Sequence, residues 1–164
     1  MSVSATTVDH GALKANQLVI IVLNLTAFIL QSWPLAALTA LAMFAGTVLG
    51  KPGFYPLYAG VIRPLGLVKA DPIADDPRPH RFAQGFGAFV MGLGVVFLVL
   101  GADAAGWTAV WIVALLAGVN VSVGFCAGCF VFYQLARLGV PGFAGTAPEG
   151  IFPGMRRKAA PPEA

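Results

Sequence analysis

"QLVIIVLNLTAFILQSWPLAALTALAMFAGTVLG", residues 17–50, decides the fold, because it runs for 34 positions without a charged side chain. As one α-helix it would be about 51 Å long at 1.5 Å per residue, far beyond the roughly 30 Å of a bilayer's hydrocarbon core. "QSWP" supplies the break, since Pro34 disfavours helix at Trp33 and pre-sets φ for a new first turn. The stretch reads as a tight hairpin of two spans, near 17–32 and 35–50. The rest of the chain agrees. It is 58% hydrophobic and 10% charged, against about 25% charged in an ordinary soluble domain, and its mean hydropathy is +0.82. A water-soluble fold of 164 residues could not hide so many apolar side chains, so lipid is the expected solvent for most of the surface.

A second apolar block repeats the pattern. "FAQGFGAFVMGLGVVFLVLGA", residues 82–102, is a full-length span, and "GADAAGW" interrupts it with Gly101, Asp103 and Gly106. The return segment is uncharged from Trp107 to Ala136, about 45 Å of helix, and is expected to tilt or protrude from one face. The expected fold is all-α: an integral membrane bundle of four transmembrane helices arranged as two helical hairpins. Its parts are a leading segment (1–16), a first hairpin (17–50), a linker with an interfacial helix (51–81), a second hairpin (82–138) and a tail (139–164) of little regular structure.

Charge sets the orientation. Lys14 lies in the leading segment, five basic residues run from Lys51 to Arg81, Arg137 closes the second hairpin, and the tail holds Arg156, Arg157 and Lys158, which completes the 10 basic residues. The turns around Trp33 and Asp103 have none. By the positive-inside rule both termini and the linker face the cytoplasm of a cell-membrane protein. The first apolar run is too long for a cleaved signal peptide and is read as a span. The basic balance, with a pI near 9.1, is this topology signal, and no nucleic-acid partner is inferred from it. The lipid bilayer is the expected partner, together with a homo-oligomer or a larger membrane complex.

Candidate chemistry centres on "GFCAGCFVFY", residues 124–133, which holds both of the chain's cysteines. Counted along the fourth span, Cys126 and Cys129 reach the cytoplasmic boundary, and a spacing of three puts both on one helix face. That compartment disfavours a structural disulfide and leaves transient redox chemistry, metal ligation or plain packing. Gly124 and Gly128 form a small-xxx-small pair that admits another backbone, and Phe130, Phe132 and Tyr133 could wall a pocket. His80 comes to the same depth, so Cys126, Cys129 and His80 are the candidate metal ligands. His10 falls in a leading segment expected to be mobile. Arg81 reads as a topology anchor, a cation that near the thiols would lower their pKa, and Gln84 as a bundle-facing hydrogen-bonder. Asn24 and Asn120, counted to one depth, are expected to bond to each other. No acid pair, nucleophile with a base, phosphate loop or intramembrane carboxylate appears, which argues against hydrolases, NTPases and proton pumps.

"DPRPHRFAQGFGA" followed some forty residues later by "VNVSVGFCAGCFVFY" resembles the integral membrane proteins grouped as domain of unknown function 4395. The matching residues are Asp76, Arg81, Phe82, Gln84, Gly85, Cys126, Gly128, Cys129 and Tyr133. The likeness runs from the first span to about Leu138. It implies a family without an activity, and sulfur chemistry is suggested only by the cysteines. Three functions follow: a membrane protein with a cytoplasm-side Cys-x-x-Cys that handles thiol redox or sulfur, a metal or iron–sulfur module, or a structural subunit of a larger membrane complex. The sequence names no cofactor.

Overall fold

The computed structural model describes residues 7–145 and 150–156; Arg157, Lys158 and both chain ends lie outside the described residues. A short strand β1 (Thr7–Asp9) leads into α1 (His10–Ile29), and α2 (Trp33–Leu49) follows after three residues. A brief helical segment, α3 (Tyr55–Leu57), runs into a π-helical turn over Tyr58–Ile62. Strand β2 (Pro72–Ala74) precedes α4 (Pro77–Val99), α5 (Asp103–Val123) and α6 (Ala127–Arg137). The molecule is mostly helical. Three helices, α1, α4 and α5, are long and apolar enough to cross a membrane, while α2, equally apolar, has 17 residues.

The helix limits have local causes. Asp9 caps α1, its carboxylate accepting from the N–H groups of Gly11 and Ala12, and Asp76 does the same for α4 through Arg78 N–H. Pro34 and Pro77 stand in first turns, where a missing N–H costs nothing. Helix α2 ends on Gly50 in the left-handed region, with φ 68°. The main departure from expectation is in the uncharged run 107–136. It is two helices, because Gly124 adopts φ 72° and ends α5, and the chain restarts as α6 at right-handed φ.

The interior is built from small residues. Ala27, Ala36, Ala40, Ala88 and Ala117 are buried together with Met91 and Trp107, while Leu41, Phe44, Phe89 and Leu115 are each more than 60% exposed. This inversion suits lipid, where apolar side chains lose nothing by facing outward and backbones gain by close approach. Helix α2 packs on α4, α4 on α5 and α6, and α1 on α2 and α5. Phe28 meets Trp107 edge-on at 5.3 Å. Gln84 knits α4 to the end of α2, donating to the carbonyls of Met43 and Lys51 at 3.0 and 3.2 Å and accepting from Gly53 N–H. Arg81 donates to the carbonyls of Thr47 and Val48. It therefore satisfies the open end of α2 rather than approaching the cysteines.

Two segments expected to be loose are held. β1 pairs antiparallel with β2, Val8 opposite Ile73, and Tyr58, buried on the first turns of α1, donates to Asp9 at 2.9 Å. Burial raises the Asp9 carboxyl, but the N–H of Asp71, the Tyr58 hydroxyl and the N–H groups of Ala12 and Gly11 outweigh it and hold it below its ordinary value. The tail returns to the bundle, with Met155 bridged to Phe125 and Phe152 stacked on Phe130.

Asn24 and Asn120 do not meet. Helix α1 starts at His10 rather than at the first apolar residue, which sets Asn24 roughly 21 Å along it, whereas Asn120 stands in the last turn of α5. Asn24 instead donates to the Met91 sulfur at 3.7 Å, and its carbonyl oxygen has no partner among the described residues. Gly128 admits a backbone as expected, but that of α4: a Cβ there would lie 2.5 Å from Ala83 Cβ and 2.6 Å from its Cα. Gly128→Val is expected to destabilise the protein by roughly 1–3 kcal/mol, while Gly92→Ala, with open space around the added carbon, is tolerated; thermal unfolding of the detergent-solubilised protein tests both.

Candidate functional site: a cysteine pair at a helix start

The break at Gly124 reshapes the cysteine motif. Cys126 is the N-cap of α6, in extended conformation, and its sulfur accepts from Cys129 N–H at 3.2 Å, as an N-cap side chain does. The two cysteines are joined as a disulfide, with Cα atoms 5.2 Å apart. They occupy a helix start rather than one face of a continuous span. Cys126 is half-buried and Cys129 is 3% exposed, so an incoming group meets the Cys126 sulfur first. The tail straps this loop: Cys126 N–H donates to Gly154 carbonyl and Arg156 N–H to Gly124 carbonyl, both at 2.8 Å. Arg156 also pairs with Asp71.

Behind Cys129 stands a chain of titratable groups. His80 Nδ1 is 3.5 Å from Cys129 Sγ. Its Nε2 is 3.1 Å from Asp75 Oδ2, and His10 Nε2 approaches the same oxygen at 3.1 Å. An ionised carboxylate only accepts, so both imidazoles donate from Nε2. In neutral His80 this leaves the Nδ1 lone pair directed at the cysteine sulfur, the tautomer a base needs. Burial pushes the Asp75 carboxyl up, but the hydrogen bonds of His10 and His80, the charge of His80 and Asp76 N–H outweigh it and hold Asp75 well below the usual carboxylate range. His10 is 4% exposed, anchored by its own N–H on Asp71 carbonyl; the mobile leading segment expected for it is not what forms.

Two cavities meet at this point. A small one of mixed lining, about 50 Å³, includes His10, Lys14, Asp75, His80, both cysteines and Arg156 in its wall; Lys14 and Arg156 are exposed, so its rim reaches solvent. A larger one, about 150 Å³ and mostly apolar, lies between α1, α4 and α5 and touches His80, Asn120 and Cys126.

The structure thus unites Cys126, Cys129 and His80, as the sequence suggested, and turns Arg81 and Gln84 to α2. Sequence reasoning missed His10 and Asp75. Their signals, "VDH" ahead of an apolar run and the second acidic residue in "DPIADDP", gain meaning only once β1 and β2 pair.

Fold and site together define a helical protein with three helices fit to cross a membrane and a cysteine pair at a helix start, backed by a His–Asp–His cluster. Within that class the chain belongs to the family described as Domain of unknown function (DUF4395), which matches residues 8–137. No curated protein and no solved structure matches the chain.

Asp75→Asn tests the cluster. Because the folded-state value of Asp75 is depressed, its contribution to stability is complete above its unfolded value near 3.8 and is lost as pH falls through the folded value. The variant is expected to lose about 2 kcal/mol at neutral pH, and the gap to the parent should close progressively in acid below about pH 4. Melting curves of both proteins across pH measure it.

Proposed function

We propose that the protein is a multi-pass membrane thiol–disulfide oxidoreductase in which Cys126 and Cys129 cycle between dithiol and disulfide. The observation that carries this reading is the placement of His80 Nδ1 at 3.5 Å from the sulfur of Cys129, on a pair whose other member caps α6. A helix N-terminus carries roughly half a positive charge, which favours the thiolate of Cys126. The Cys126 thiolate attacks a substrate disulfide, forming a mixed disulfide and expelling one substrate thiolate. Cys129 then gives its proton to His80 and attacks Cys126 Sγ. The Cys126–Cys129 bond forms, the mixed disulfide breaks, and the second substrate thiolate leaves and takes the proton. Run in reverse, the same steps oxidise a substrate dithiol.

In this reading α1, α2, α4 and α5 form four spans as two hairpins, both termini and the site face the cytoplasm, and the membrane is the cell membrane. The inside-out burial of small and large apolar residues and the distribution of basic residues support it. Reporter fusions at both ends should read inside; an external carboxy terminus would remove the four-span topology.

The chemistry is tested with Cys129→Ser, which should accumulate a mixed disulfide on Cys126 when treated with glutathione disulfide, seen by mass spectrometry without reductant. Cys126→Ser should form none. A Cys129→Ser protein that stays unmodified would sink the proposal.

A second reading rests on the ligand atoms of His80, Cys126 and Cys129 lying within 4.8 Å of one another. A reduced pair with His80 matches the Cys₂His set of some catalytic zinc sites. Anaerobic, reduced protein holding one equivalent of zinc, lost in either cysteine variant, would favour it.

A further inference from the structure

The apolar cavity has no role in the exchange just described, yet Cys126 is among the residues that line it. Its walls are Ile20, Phe86, Val90, Val113 and Leu116, and Phe86 and Leu116 are also 50% and 44% exposed on the outside of the bundle. The part of the wall that Phe86 and Leu116 form on α4 and α5 would thus face the bilayer. At about 150 Å³ it has the size of a protein cavity that takes up one benzene-sized ring. One end is polar. Gln17, Asn120 and His80 reach the cavity there, and among the described residues no hydrogen bond engages the side-chain amide of Gln17 or of Asn120, leaving N–H donors for oxygens carried on a ring.

The geometry points to a lipid-soluble quinone as the electron acceptor of the cysteine pair, its ring held in the apolar cavity beside Cys126 while thiol substrates arrive through the smaller cavity that Lys14 and Arg156 rim. This rests on the thiol–disulfide reading above. A substrate dithiol first reduces the Cys126–Cys129 disulfide by exchange and leaves as its own disulfide. The Cys126 thiol then adds to a ring carbon, its proton passing to one quinone oxygen as the carbon–sulfur bond forms. Cys129 gives its proton to His80 and attacks Cys126 Sγ. The disulfide closes, the carbon–sulfur bond breaks, and its electron pair stays on the ring, whose second oxygen takes the proton from His80. Two thiols are oxidised and one quinone is reduced to quinol. Both cavities are lined by Cys126, so each substrate reaches the pair through its own cavity and neither must enter the other's solvent.

The test uses the full chain in detergent, reduced and freed of reductant without oxygen, then mixed with a short-tailed, fully substituted ubiquinone analogue. One quinol should appear for each disulfide closed. Ala117→Phe, which fills the cavity, should slow quinone reduction by on the order of tenfold or more yet exchange with a water-soluble aromatic disulfide at the parent rate. Should that variant fail to fold, Leu116→Trp in the cavity wall gives the same comparison. A parent that exchanges with the soluble disulfide but not with the quinone overturns this inference and leaves thiol exchange standing. A parent that reacts with neither overturns both. Cavity variants that reduce the quinone at the parent rate also overturn it.

Discussion

Gly124, held at φ 72° and ψ 18°, breaks the helix inside an otherwise uninterrupted apolar run, and the site depends on that break. A side chain there would add roughly 1–2 kcal/mol of strain, so glycine ends α5 where hydropathy alone would continue it. The new helix must then satisfy its first N–H groups. Cys126 answers one with its sulfur, and Gly154 answers the N–H of Cys126 itself. Had α5 run on, both sulfurs would lie along a helix wall with the amides locked in the ladder, and neither the dipole nor the strap would act on Cys126.

The helices were legible because apolar runs and their breakers are local signals. Pro34 and Gly101–Asp103 marked the turns, and the motif residues Gln84, Cys126 and Cys129 marked the family. The site was half legible. His80 came from depth counting, but His10 and Asp75 meet through three-residue strands, too short for alternation to show. Gly124 looked like a packing glycine, since hydropathy does not record the sign of φ. Asn24 was counted from Gln17, seven residues inside the true start of α1, an error of about 10 Å that a capped Asp9–His10 start could have corrected.

Helix ends meet their polar needs through side chains from α4. Arg81 takes the carbonyls of Thr47 and Val48 at the end of α2, Gln84 those of Met43 and Lys51, and His80 on the same helix stands beside the cysteine pair. One face of the first two turns of α4 thereby sets both the closure of α2 and the position of the imidazole. A shift of α4 along its axis cannot change one without the other.

The strap has a consequence for biogenesis. The sulfur environment draws on His10, Asp75, His80, Cys126 and the segment Gly154–Arg156, which spans nearly the whole described chain. During synthesis the histidine and carboxylate emerge long before the cysteines, and the backbone groups that clasp Cys126 emerge last. The nascent polypeptide therefore carries its cysteines, for a time, without the groups that surround them in the folded chain, and the cluster is complete only when the segment Gly154–Arg156 docks.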